Sequence, residues 1–378
     1  MAFATDLHQH VWPEAFLAAL SARSTGPRAV RRADGAWTLC LDGEPDSVLG
    51  EREICLHRRD GALFAAGIER ALLVPPLAIG IDALERDEAR GLLDGWLSGA
   101  LDAGPRFGAW AGIAADAPPS DVTAALGRGA VGLALPATRL ADAEALDRNG
   151  PVLEALERAG RPLFIHPGAV AAPAGRRSAS WWPAVADYPG QLQRAWATWL
   201  DRGLEQHPSL RVAFAALAGG APLLLERLAA RGGPVGSAAD ERIVYETSSF
   251  GPAAIAGAAA AVGADRIGFG SDRPVVAATG QHVPDVPGLD PAALTRIAAA
   301  GLLGAQAVRE DEGTVVVPMP VVVSARATGP TPGERSTPGA VPDAGWGAPQ
   351  AVPADDPGRR ASPLVAVEPS PVDEAVAA

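Results

Sequence analysis

Lysine is absent from this chain of 378 residues, and the 32 basic side chains other than histidine are all arginine. That absence excludes a Schiff-base lysine, the lysine of a phosphate-binding P-loop and a carbamylated lysine bridging two metals. Cysteine is nearly absent: Cys40 and Cys55 form no CxxC pair and no disulfide framework, which fits a reducing cytoplasm. Positive charge is short against 44 acidic residues, and the net charge of -12 disfavours nucleic acid and an anionic membrane as partners. Long apolar runs are missing as well. Ala253–Val262 is too short and too rich in alanine and glycine to span a bilayer. The start of the chain has no basic region followed by an apolar stretch, so a secretory leader is not expected.

What is present suffices for a large core, with 48% hydrophobic and 20% charged residues. Residues 1–315 are expected to form one domain. Residues 316–378 are Pro, Ala, Gly, Ser and acidic residues without apolar periodicity, and are expected to be a disordered tail. Within the first part, eight apolar runs alternate with Ala/Leu/Arg-rich amphipathic segments. The runs are Phe3–Leu7, Arg70–Val74, Phe107–Ile113, Ala130–Leu135, Pro162–His166, Arg211–Ala216, Arg242–Thr247 and Arg266–Gly270. Helices are expected over Ala83–Leu101, Ser120–Leu126, Val152–Ala159, Gln191–Leu204, Ala221–Ala230 and Gly251–Ala261. Near-continuous apolar strands separated by helices describe a parallel sheet covered on both faces. Eight such units closing on themselves make an α/β (β/α)8 TIM barrel. A doubly wound open sheet is the alternative, weakened because no GxGxxG turn follows the first strand.

Catalytic groups of such barrels sit at the C-terminal ends of the strands. The first run ends in His8-Gln9-His10, and residues two apart on a strand face the same side. The fifth ends in Phe164-Ile165-His166-Pro167-Gly168 and the eighth in Gly268-Phe269-Gly270-Ser271-Asp272. Singly, each has a plainer reading: a polar strand end, His166 capping a strand, Asp272 capping a turn. Together they place three imidazoles and a carboxylate in one mouth, a donor set suited to a catalytic metal with an open position for water.

These three strand-end motifs resemble the amidohydrolase superfamily, and most of all its amidohydrolase-related ("amidohydrolase 2") branch, which includes aminocarboxymuconate-semialdehyde-decarboxylase-like enzymes. The resemblance covers about residues 1–310. It implies one divalent metal ion, expected to be zinc, held by His8, His10, His166 and Asp272, with Asp272 also moving a proton. The missing lysine agrees with this branch and not with the binuclear carbamate branch. The family usually ends its sixth strand with a histidine beside the metal-bound water. Here Ala216 stands in that place, and alanine can neither accept a proton nor form a side-chain hydrogen bond. His57 and His282, in segments expected to cross the mouth, are candidates for a compensating base.

Other candidates are weaker. Arg176 and Arg177 with Trp181 and Trp182 would form a substrate-binding lid after the fifth strand, or merely pack that insertion onto the barrel. Trp12 would wall the pocket or belong to the core. The expected activity is hydrolysis of a small amide, ester or lactone by a metal-activated water. The alternatives are non-oxidative decarboxylation of a small aromatic or unsaturated acid, with Asp272 protonating carbon, and an impaired barrel that only binds. The expected partner is a small-molecule substrate, with a homodimer also considered.

Overall fold

Eight of the apolar runs become eight parallel strands because both of their faces are covered. The structure, a computed structural model, describes residues 2–41, 46–50, 59, 61, 63, 65–170, 179, 181–275 and 283–307. These lie in the unit Met1–Val315. The expected tail, residues 316–378, lies outside the described residues. The barrel strands are β1 (Thr5–Gln9), β5 (Arg70–Leu73), β6 (Phe107–Ala111), β7 (Gly132–Pro136), β8 (Leu163–His166), β9 (Val212–Phe214), β10 (Ile243–Glu246) and β11 (Ile267–Gly268). Their order is β1-β5-β6-β7-β8-β9-β10-β11, each neighbour parallel. The two edges then meet. Leu7 donates its N–H to the carbonyl of Phe269 and Asp272 donates to that of His8, both at 2.9 Å, and Gln9 bridges Arg273. The strands pack so closely that Gly132 has no alternative: a Cβ there would lie 2.2 Å from the carbonyl oxygen of Pro162, the residue that leads into β8.

The helices cover the outside through apolar stripes. In α2 (Arg86–Leu101), Ala89, Leu92, Leu93, Trp96, Leu97 and Ala100 are buried at helical spacing, and the Glu85 side chain caps the N–H groups of Asp87 and Glu88. Helix α4 (Ala143–Arg158) is twice as long as expected. Pro151 lies inside it, but the first half is secured by Asp142, which accepts from the Ala145 N–H at 2.8 Å, and by buried Leu146 and Asn149. Helix α1 (Glu14–Ser21), α3 (Pro119–Gly127), α5 (Tyr188–Thr198), α6 (Pro252–Val262) and α7 (Ala298–Leu303) complete the main set. No helix among the described residues is long and apolar enough to cross a membrane.

The sequence reading places no strands between His10 and Arg70, yet a second sheet lies there. It joins β2 (Arg28–Arg31), β3 (Trp37–Cys40) and β4 (Ser47–Leu49) antiparallel. Only alternate residues such as Trp37 and Leu39 are buried, so these four- and three-residue strands lack the apolar continuity of the barrel.

The loop after β6 is tied to the loop after β7 and to helix α4 by one buried arginine. Arg139 donates to the carbonyls of Ala114 at 3.1 Å and Ala115 at 3.0 Å, and to the Asn149 side-chain oxygen at 2.9 Å. Asp82 is buried nearby, and burial raises its carboxyl from 3.8 to about 6 despite the Arg139 charge. A folded-state value above the unfolded one favours the fold while the group is protonated. That contribution is complete below 3.8 and is lost as pH climbs to about 6. A span of about two pH units corresponds to about 3 kcal/mol. Asp82→Asn, which stays neutral, is therefore expected to be about 3 kcal/mol more stable than the parent at pH 7.5, with a much smaller difference at pH 4. Urea unfolding at the two pH values checks this; equal differences at both would refute ionisation as the cause.

Candidate metal centre

Alternation along β1 turns His8 and His10 to the same side, and their Nε2 atoms come within 3.1 Å. The end of β8 brings His166 to meet them. The three buried imidazoles form a nearly equilateral group, with ring centroids 4.9, 5.0 and 5.1 Å apart and planes crossed by 76°, 84° and 83°. One nitrogen from each lies within 4.8 Å of the others. Below them the barrel is closed by Phe164, whose ring is 5.2 Å from that of His8, and by Trp110 behind it.

The outer nitrogens explain why the inner ones converge. His8 Nδ1 faces Glu246 Oε2 at 3.0 Å, His10 Nδ1 faces the Val74 carbonyl at 3.0 Å, and His166 Nδ1 faces the Pro167 carbonyl at 2.8 Å. Each partner is an acceptor. A neutral imidazole answers such a partner by donating Nδ1–H, which leaves the Nε2 lone pair pointing inward.

Asp272 completes the group from the end of β11. Its Oδ1 lies 3.2 Å from His10 Nε2 and 3.5 Å from His8 Nε2, and this atom is buried without a hydrogen-bond partner among the described residues. Burial would raise the Asp272 carboxyl, but His8 and His10 outweigh it and hold the group below the usual carboxylate range. Burial depresses His8, whereas Asp272 and Glu246 more than reverse this and raise it. His166 is driven well below the ordinary imidazole value by burial and by His8 and His10. Lone pairs crowded about a point and an unpartnered carboxylate oxygen fit a divalent cation bound by three nitrogens and an oxygen, with room for exchangeable ligands.

The surrounding backbone is bent to suit. Ala216, Ser249 and Asp272, just past the ends of β9, β10 and β11, have φ of 47°, 66° and 51°. Leu217 and Ala218 continue the left-handed run at 49° and 54°. Left-handed non-glycine residues cost about 1–2 kcal/mol each, and such strain gathers at functional sites. Asp6 pins the seam of the barrel beneath the cluster. Its carboxyl accepts from the Ser271 N–H at 3.0 Å and the Gln9 amide at 2.8 Å, and burial raises its pKa.

The other candidates are dispersed. Trp12 is buried with its ring 6.0 Å from Phe16. Trp181 and Trp182 lie 5.7 Å apart and are 57% and 44% exposed. Arg176, Arg177, His57 and His282 lie outside the described residues. At the expected strand-six position Ala216 presents its backbone, whose N–H donates to Glu246 Oε2 at 3.2 Å. Two residues here were not anticipated. Glu246 is fully buried at the end of β10, where an acidic residue ending an apolar run was the available signal. Arg59 is also buried, and its guanidinium donates to the His10 carbonyl. Nothing in its local sequence distinguishes it.

The sequence matches no protein-family model and none of the curated proteins. Among solved structures, the chain is similar to Metarhizium anisopliae IDCase in apo form, with a TM-score of 0.63 at 18% identity, covering 80% of this chain and 97% of that one. It is similar to 5-carboxyvanillate decarboxylase LigW from Sphingomonas paucimobilis, with a TM-score of 0.62 at 17% identity over 80% and 99% of the two chains. A third similar structure is 5-carboxyvanillate decarboxylase from Novosphingobium aromaticivorans with manganese and 4-hydroxy-3-methoxy-5-nitrobenzoic acid. Its TM-score is 0.57 at 19% identity, over 80% of this chain and 96% of that one. The shared fold agrees with the amidohydrolase-related resemblance carried by the strand-end motifs.

Proposed function

We propose that this chain is a metal-dependent carboxy-lyase of the amidohydrolase-related branch, releasing carbon dioxide from a small aromatic or unsaturated acid. The observation that carries this reading is the cluster of buried His8, His10 and His166 with half-buried Asp272 at the mouth of a barrel whose similar solved structures include decarboxylases. It displaces hydrolysis as the first choice. At Ala216 no polar side chain is available to activate water.

A divalent ion, zinc or manganese, would be held by the three Nε2 atoms and Asp272 Oδ1, and would supply Lewis acidity toward the substrate's oxygens. The rest falls to the chain. As a carboxylate ligand, Asp272 would take up a proton from solvent before it can deliver one. In the proposed step Asp272 gives that proton to the ring carbon bearing the carboxylate. The bond to that carboxylate then breaks, its electron pair returns to the ring, and carbon dioxide leaves. Phe164 and Trp110 exclude water from below, which protects the proton in transit.

The test is a panel of hydroxybenzoates and unsaturated acids, alongside esters, lactones and amides, with zinc- and manganese-loaded protein. Carbon dioxide release without hydrolysis is expected. Hydrolysis of an ester, lactone or amide with no carboxylate turned over would refute the reading.

A further inference from the structure

Glu246 is a carboxylate with no exposure to solvent and no arginine against either oxygen among its described contacts. A buried charge is costly unless donors surround it. Three strand ends supply what it needs. From β10's own extension, the Ser248 N–H donates to Oε1 and the Ser248 hydroxyl to Oε2 at 2.8 Å. From the end of β9, the left-handed turn aims the Ala216 N–H at Oε2. From the end of β11, Gly270 leaves the room: a Cβ there would sit 1.9 Å from Oε1. The fourth donor is His8 Nδ1.

We infer that Glu246 is the positioning residue of the metal centre, holding His8 as its Nδ1–H tautomer so that the Nε2 lone pair faces the ion. The inference rests on reading His8, His10, His166 and Asp272 as that centre. His10 and His166 are oriented by neutral carbonyls, whereas His8 alone donates to a carboxylate. A charged acceptor makes the stronger hydrogen bond and the more basic ligand. It also gives the strained turn at Ala216 a purpose, since that backbone conformation delivers one of the donors that anchor the carboxylate.

The test uses Glu246→Gln and, as a variant with no carboxyl or amide group facing His8, Glu246→Met, which leaves only the Ser248 hydroxyl at 3.4 Å from Nδ1. In Glu246→Gln the side-chain NH2 meets a backbone N–H at either position, but the Ser248 N–H approaches Oε1 more closely than the Ala216 N–H approaches Oε2, so the NH2 is disfavoured most at Oε1. It therefore turns toward His8, whose Nδ1 must then accept, and the proton moves to Nε2. Nitrogen-15 NMR of metal-free protein, recorded at a pH alkaline enough that the histidine rings are neutral, reads the tautomer, and competition titration with zinc reads affinity. The expected result is loss of the Nδ1–H form of His8 in both variants and an increase of about 10–100-fold in the zinc Kd. His8 unchanged in both variants, with Kd within twofold of the parent, overturns the inference. A parent chain that takes up no zinc, while the variants still change the tautomer, refutes the metal-centre reading and leaves the hold of Glu246 on His8 standing.

Discussion

Alanine in place of His166 is expected to strip the protein of its metal and, with it, of turnover. The parent chain should carry about one divalent ion per molecule. His166 is the sole donor that β8 contributes to the group of His8, His10 and Asp272. Complete four-ligand zinc sites are worth about 10–16 kcal/mol, so one imidazole accounts for about 3 kcal/mol or more, or at least about 100-fold in affinity. The fold should survive. His166 ends its strand and its ring nitrogen Nδ1 faces the Pro167 carbonyl among the described residues, so no described backbone pairing depends on the ring. Elemental analysis after gel filtration, paired with circular dichroism, measures both sides. A folded His166→Ala protein that keeps a full equivalent of metal would sink the proposed site.

Asp272→Asn separates holding the metal from moving the proton. Asparagine keeps a carbonyl oxygen near the Asp272 Oδ1 position and is one of the few residues at ease with φ near the observed 51°. The Asp272 N–H to the His8 carbonyl is retained, since it is a backbone bond. Metal should therefore remain, more weakly bound, while the side chain can no longer accept and return a proton. General acid–base help of this kind contributes about 10²–10⁴ in rate. A fall in kcat of that size is expected, with KM changed far less, in steady-state assays at saturating metal. Activity within tenfold of the parent would mean that another group carries the proton.

The eight barrel strands were legible because their signal is local. A parallel strand covered on both faces reads as a short unbroken apolar run, and all eight runs overlap observed strands. The second sheet, β2–β4, was not legible. Its short strands are half exposed, with too few buried residues to show an apolar run, and β2 packs on helix α1. Helix α4 shows the opposite error: Pro151 reads as a barrier locally, yet the helix runs through it because both halves bury the same side against the barrel.

The site divides along the same line. Period-two alternation determined that His8 and His10 share a face, and strand-end position marked His166 and Asp272 as companions; both are properties of neighbouring residues. Glu246 and Arg59 escaped because their meaning is a distance in space. Glu246 stands 238 residues from His8 along the chain and 3.0 Å from it in the barrel. The sequence by itself determined the candidate ligands and the kind of fold that gathers them. Only closure of the barrel, which brings the ends of β9, β10 and β11 round to β1, decided how those ligands are held, because hydrogen bonds between distant strand ends leave no periodic trace in the chain.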